Sequence, residues 1–249
     1  MWLFDGDGFN GALRMAHVIV GIMWMGLLWF FNVVQVPAYA EMGAGSRTEA
    51  LDKLTWRALW WFRWAAMATV AIGVLMIGIE SGDDGIYNGD YWRSPAGMTL
   101  LVGVVFGITM FANVWFVIWP NQQVVIGSAR KVLAGGEADP EAAAAGRKAL
   151  LASRMNTIFS LPLLVFMVGA THFYQSPHWV GRVDGSDIAV WLIVSLAIWG
   201  LLELGALGLL GGTAPGGPRI IFDTHANALW TGAALIVILY LLSEAVFRA

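Results

Sequence analysis

The sequence contains no cysteine among its 249 residues, and only 12% of the residues are charged. The absence of cysteine excludes disulfides, thiolate metal sites, iron–sulfur clusters and a covalently attached c-type haem. Any cofactor must therefore be held through histidine, methionine or oxygen ligands. Soluble domains carry about a quarter of charged residues, so this chain has too few polar side chains to cover a water-facing globule. The net charge of −3 argues against a nucleic-acid partner.

Apolar residues are abundant, at 58% of the chain, and the mean hydropathy is +0.68. Spanning a bilayer takes about 20 apolar residues, and six stretches without charge are long enough or nearly so. They predict an all-α, polytopic transmembrane bundle in a single domain covering residues 1–249. The predicted helices lie at about residues 11–38, 57–79, 95–119, 155–175, 188–210 and 223–245.

Two details of this prediction rest on local signals. The third helix is expected to end near Trp119, because Pro120 and Asn121 follow it as breakers. The Ala- and Glu-rich stretch after Pro140 predicts a short cytoplasmic surface helix. The start of the chain, MWLFDGDGFNGAL, lacks the basic residues and cleavage site of a secretory signal, so the first apolar run is expected to remain as a helix.

The distribution of Lys and Arg predicts the orientation, because cytoplasmic loops are enriched in both. Basic residues collect in the first and third loops, at Arg47, Lys53, Arg57, Arg63, Arg130, Lys131, Arg147, Lys148 and Arg154. The second and fourth loops hold only Arg93 and Arg182. The second loop, ESGDDGIYNGDYWR, is acidic, and Asp5 and Asp7 lie near the N-terminus. Both termini are therefore expected outside, with most tryptophans, including Trp56, Trp60, Trp61, Trp64 and Trp119, in interfacial belts.

Ionisable residues inside spans are costly and are functional candidates by default. His17 and His172 are predicted at a similar depth below the outer ends of the first and fourth helices. Two neutral imidazoles at one depth suit axial ligation of a b-type haem, and Gly21 and Gly169 would let it approach the backbone. Alternatively, each histidine hydrogen-bonds across helices, and the spacing does not separate these two interpretations. His178 is expected to be an exposed loop residue.

A second polar layer is predicted near the cytoplasmic side. It contains Glu203 in the fifth helix, and Asp223 with His225 at the start of the sixth. Arg154, Asn156 and Asn113 are expected to join it. The structural interpretation is charge pairing of Glu203 or Asp223 with Arg154, and the functional alternative is a proton path or an anion site near Arg63 and Arg154.

Four long strings resemble the N-terminal membrane domain of the bacterial membrane-bound urate oxidase (urate hydroxylase) family. They are HVIVGIMWMGLLWFFNVVQVP, RALWWFRW, NVWFVIWPNQQVVI and SRMNTIFSLPLLVFMVGATHF. Together they cover most of the chain from about Arg14 to His172. The likeness is weaker afterwards, where Glu203 and His225 are the positions to align.

The resemblance implies a multi-pass domain of the bacterial inner membrane that passes electrons from urate oxidation to the respiratory chain. In fuller members, a periplasmic cytochrome c domain follows. This sequence stops at Ala249 without a C-x-x-C-H motif. Either the electron acceptor is a separate protein, or this member keeps only the membrane part and has a role other than urate oxidation. The family positions imply His17, His172 and His225 as haem ligands, with Arg154, Asn156 and Glu203 as accompanying polar residues.

The leading hypothesis is thus a module containing haem b that relays electrons from a small reductant, such as urate, toward a periplasmic cytochrome c or a respiratory complex. It would be a urate-oxidising oxidoreductase or an electron-transfer subunit of one. The alternative is a cofactor-free accessory or structural subunit of a respiratory membrane complex. A transporter of purine-like anions is a third hypothesis, but no internal repeat supports it.

Overall fold

The computed structural model describes residues 6–81, 86–179 and 183–248. Within these ranges the chain forms helices and turns and has no β-strand. Asp5, Arg182 and part of the acidic second loop, residues 82–85, entered the orientation argument and lie outside the described residues.

Six helices in the described ranges are long and apolar enough to cross a membrane, which confirms the predicted fold class. The first consists of α1 (Gly6–Trp29), a π-helical segment (Phe30–Gln35) and α2 (Val36–Glu41). The second consists of α3 (Ala44–Ala50), a π-helical segment (Leu51–Thr55) and α4 (Trp56–Ile79). The third consists of α5 (Pro95–Ala112), a π-helical segment (Asn113–Ile118) and α6 (Trp119–Leu133).

The remaining three spanning helices are uninterrupted. They are α7 (Ala142–His172), α8 (Gly185–Ala206) and α10 (His225–Phe247), the last preceded by the one-turn α9 (Ile220–Asp223). Short 3₁₀ turns at Tyr91–Arg93, Pro177–Trp179 and Gly217–Arg219 lie in the connections.

Several predicted boundaries are wrong. The second spanning helix starts at Ala44 and not near residue 57, because α3 and a π-helical segment precede α4 without a break. The third spanning helix does not end near Trp119, because it continues through Pro120 to Leu133. The residues after Pro140 do not form a separate surface helix either. They are the first turns of α7, which starts at Ala142.

The π-helical segments explain how helices continue through proline. Pro37 and Pro120 each follow such a segment closely. In a regular α-helix the proline ring collides with the carbonyl four residues earlier, and the wider π turn changes the position of these carbonyls. The side-chain amide of Asn121 also donates to the carbonyl of Val117, at 2.7 Å. The backbone groups around Pro120 thus find partners inside the protein, as a lipid environment requires.

Helix α7 is the central element of the bundle. In its spanning window 67% of the residues are buried, against 17–44% for the other five helices. Phe159 of α7 stacks on Phe106 of α5 with ring centroids 4.6 Å apart. Gly103 of α5 lies against Phe166, so closely that a Cβ there would be 3.2 Å from that side chain. Small residues thus let α5 approach α7, as in other membrane bundles.

A second close approach joins α7 to α10 at a proline. Pro162 lies inside α7 and has no N–H to donate to the carbonyl of Ile158. Gly232 of α10 faces this carbonyl, and a Cβ on Gly232 would lie only 2.8 Å from its oxygen. The glycine therefore allows the backbone of α10 to cover a carbonyl that α7 does not satisfy.

Replacing Gly232 with alanine should force these two helices apart. We expect Gly232→Ala to lower the free energy of unfolding by about 1–3 kcal/mol, the usual cost of overpacking. Thermal unfolding of the purified chain in detergent measures the effect. Gly200→Ala is the matched control, because a Cβ on Gly200 would meet nothing within 4 Å. Equal stability of the two variants would contradict the proposed contact.

The predicted orientation can be checked with the cysteine-free chain. Glu137 is exposed in the connection between α6 and α7, and Ile86 is exposed, at 48%, in the acidic loop before α5. In intact cells, a membrane-impermeant maleimide should label Ile86→Cys and not Glu137→Cys, because the ends of α6 and α7 beside this connection are rich in Lys and Arg and are expected in the cytoplasm. Labelling with the opposite preference would invert the topology.

Candidate functional site

His17 lies between α1 and α4. Its ring rests against Gly73, where a Cβ would be 3.0 Å from Cε1 of the histidine. The ring also interacts with the backbone of Thr69, whereas its Nδ1 is buried and has no hydrogen-bond partner. The neighbouring Gly21 faces Thr69, since a Cβ there would lie 3.8 Å from the Thr69 methyl group. The histidine therefore occupies a helix–helix contact.

His172 ends α7 and its side chain is exposed. Its Nδ1 lies 2.8 Å from the hydroxyl of Thr171 and 3.2 Å from the carbonyl of Val168. The space beside Gly169 is filled by the ring of Tyr174, 3.5 Å from where a Cβ would be. Burial raises the pKa of the Tyr174 phenol, which hydrogen-bonds the hydroxyl of Ser243 at 3.1 Å. The C-terminal end of α7 is thereby fastened to α10.

The surroundings of His17 restrict one of its two ring nitrogens. Nδ1 is buried against Gly73 of α4, so its binding to iron would require the ring to move. A haem held between His17 and His172 stays a prediction. Two apolar grooves of about 380 and 520 Å³ flank Gly26, but no histidine lines either one.

The other two histidines do not join this pair. His225 begins α10 and is half-buried. The ring of His178 is exposed, as predicted, and its Nε2 lies 3.3 Å from the carboxylate of Glu244. Over residues 6–81, 86–179 and 183–248, no three His, Asp or Glu side chains are grouped so that they could hold a metal ion.

The structure instead brings together three polar side chains from the predicted cytoplasmic layer. Asn113, which opens the π-helical segment of the third spanning helix, donates to Oδ1 of Asn156 at 3.0 Å and to Oε2 of Glu203 at 3.2 Å. Asn156 of α7 in turn donates to the carbonyl of Met110, at 2.9 Å. We call Asn113, Asn156 and Glu203 the amide–carboxyl network.

The amide–carboxyl network is closed to its surroundings. The exposed fractions are 0% for Asn156, 3% for Asn113 and 8% for Glu203. Where the chain is described, no cation lies within ion-pair distance of the Glu203 carboxylate. A buried carboxyl group held by a neutral amide can exist with or without its proton, whereas an ion-paired one is held in its charged form. The network is therefore a candidate proton-binding site within the bundle.

Arg154 and Asp223 lie nearby but do not pair as predicted. Arg154 donates to the carbonyl of Phe222 at 2.8 Å, and Asp223 pairs with Arg147 at 3.3 Å. The guanidinium of Arg147 also donates to the carbonyl of Thr213, at 2.9 Å. The prediction that Glu203 or Asp223 pairs with Arg154 is thus wrong. The arginines reach the backbone of the α8–α10 connection, which they hold against α7.

Sequence reasoning missed polar contacts between α7 and the first spanning helix. Asn32 donates to the hydroxyl of Ser153 at 2.8 Å, and the indole of Trp29 donates to Ser160 at 2.9 Å. The signal was available, because Ser153, Asn156 and Ser160 recur at three- and four-residue spacing and so share a helix face. These side chains are neutral, so the criterion of ionisable residues inside spans does not select them.

The amide–carboxyl network should contribute to stability through Asn113. We expect Asn113→Leu to lower the free energy of unfolding by about 1–3 kcal/mol, because it leaves buried acceptors on Asn156 and Glu203 without their donor. Glu203→Gln keeps an acceptor oxygen for Asn113 and should cost less. Thermal unfolding in detergent ranks the two variants, and the reverse order would contradict the assigned hydrogen bonds.

Comparison with known proteins gives a family match. Residues 88–198 match a family model described as urate oxidase N-terminal. The matched range includes Asn113, Arg154, Asn156 and His172, and it leaves out His17, Glu203 and His225. No curated protein and no solved structure matches the chain.

Proposed function

From the premise that residues 88–198 belong to the urate oxidase N-terminal family, we propose that the protein relays electrons at a bacterial inner membrane. The electrons would pass from urate, or a similar small reductant, toward a periplasmic cytochrome c. One observation carries the proposal. The matched segment runs through the buried α7 and supplies Asn113 and Asn156, two members of the amide–carboxyl network. Polar groups inside a span are costly, which favours a functional role for those in this segment.

The chemistry assigns a role to Glu203. Hydroxylation of urate by water releases two electrons and two protons. Two molecules of ferricytochrome c would take up one electron each, and the protons need acceptors. We assign Glu203 as an acceptor for one of them, because no cation in the described part of the chain neutralises its carboxylate and Asn113 hydrogen-bonds it. Its place one turn before the end of α8 would allow release near the membrane surface.

Proteoliposomes containing the full chain provide the test. With urate and ferricytochrome c in the medium, we expect urate-dependent reduction of the cytochrome. Glu203→Gln should slow this reduction roughly tenfold or more, a modest value for loss of a proton-transferring group. Absorbance of reduced cytochrome c measures the rate.

Glu137→Gln serves as the control, because Glu137 is exposed in a loop and should leave the rate unchanged. An inactive wild type would overturn the proposed relay. A Glu203→Gln variant with the wild-type rate would leave the relay standing and remove Glu203 from it.

Haem b stays a prediction for this chain, and no step above runs through it. A pyridine haemochrome assay of the purified chain tests it, with His17→Ala and His172→Ala as the variants. A b-type band that is lost in both variants would establish the axial pair and require His17 to leave its position against Gly73. A band that is absent, or unchanged in both, would exclude that pair.

A cofactor-free accessory subunit is the second candidate. Large exposed indoles favour it, since Trp61 is 55% and Trp230 is 76% exposed. Aromatic residues are enriched at protein interfaces. Co-purification with a larger respiratory complex, together with a negative haemochrome assay and no urate-dependent reduction by the isolated chain, would support this role.

A further inference from the structure

Three indole rings surround the guanidinium of Arg63. Its central carbon lies 3.8 Å from the ring centroid of Trp119, 5.3 Å from that of Trp115 and 5.6 Å from that of Trp64. Arg63 and Trp64 belong to α4, whereas Trp115 and Trp119 come from the third spanning helix. We call these four residues the Arg63 cage. Cation–π contacts of this kind position an arginine and partly compensate its charge.

Arg63 has no acidic partner among the described residues. No carboxylate pairs with Arg63 in the part of the chain that the structure describes, and its buried Nε has no hydrogen-bond partner. Arg130 provides the contrast on the same side of the bundle. Its guanidinium lies over Trp56, 4.7 Å from the ring centroid, but its Nε also binds the carboxylate of Asp52 at 2.6 Å. Both arginines contact indoles, and within the described ranges Arg130 pairs with a carboxylate whereas Arg63 does not.

The surroundings of the Arg63 cage are those of a membrane interface. Trp60, Trp61 and Trp64 on α4 are 41%, 55% and 43% exposed. Indoles gather at the headgroup level of bilayers. The nearby charges on α4 and on the π-helical segment before it are basic, at Arg57 and Lys53, apart from Asp52, which already pairs with Lys53 and Arg130.

We propose that the Arg63 cage is a binding site for the phosphate of an anionic phospholipid. A guanidinium presents paired N–H donors that match phosphate oxygens, and the indoles hold it in place before the lipid arrives. A net negative headgroup would supply the counterion that the described residues do not. The site is independent of the proposed electron relay, since it shares no residue with the amide–carboxyl network.

Native mass spectrometry of the full chain in detergent tests the proposal. Phosphatidylglycerol and phosphatidylcholine with identical acyl chains are the probes. Wild type should bind phosphatidylglycerol more tightly than phosphatidylcholine, and Arg63→Gln should reduce this preference roughly fivefold, the effect of one basic group near an anionic lipid. Arg130→Gln removes the same charge from a residue that already has a counterion. It should keep the preference of the wild type.

Two further measurements complete the test. One distinguishes paired hydrogen bonds to the phosphate from charge attraction alone, and the other distinguishes loss of binding from misfolding. Arg63→Lys keeps the charge but loses the paired donors, so its preference should fall between those of the wild type and Arg63→Gln. Unchanged elution and helical circular dichroism would show that each variant is folded. The proposal is overturned if folded Arg63→Gln retains the full preference, if Arg130→Gln loses as much, or if inorganic phosphate displaces phosphatidylglycerol at equal concentration.

Discussion

Inside a bilayer, every backbone N–H and C=O group must find its partner within the protein, and this requirement shapes the whole bundle. Proline removes a donor, yet Pro37, Pro120 and Pro162 all lie within spanning helices. The first two follow π-helical segments, which rearrange the hydrogen bonds ahead of the ring. At the third, Gly232 brings the backbone of α10 over the carbonyl that proline leaves open. The continuity of the helices through proline and the packing of α10 on α7 therefore both depend on the need to satisfy backbone hydrogen-bonding groups.

The same π-helical segments also carry buried polar side chains. Asn32 lies in the first of them and Asn113 in the last, and both reach side chains on α7. A π turn widens the helix and turns its side chains to directions that a regular helix does not offer, and such turns are frequent at functional sites. The central helix thus receives hydrogen bonds from two neighbours at the points where their geometry is irregular. This convergence explains why the polar groups of the bundle cluster around α7.

Much of the fold follows from the sequence, because long apolar runs between charged residues identify spanning helices directly. The helix end predicted near Trp119 is wrong, because the prediction assumed that Pro120 ends the helix, as proline usually does in water-soluble proteins. Here a π-helical segment precedes Pro120 and the helix continues. The predicted polar layer included Asn113, Asn156 and Glu203, which the structure joins by hydrogen bonds. The sequence did not identify the partner of Arg154, which donates to the carbonyl of Phe222, because packing sets the rotation of each helix about its axis.

Gly73 has a consequence for the chemistry open to His17. The imidazole can lie this close to α4 only because the residue opposite it has no side chain. At this position a hydrogen atom in place of a methyl group decides whether a ring nitrogen of His17 is buried in the helix contact or accessible. Gly73, a residue of the neighbouring helix with no side-chain functional group, therefore determines whether the His17 ring is accessible.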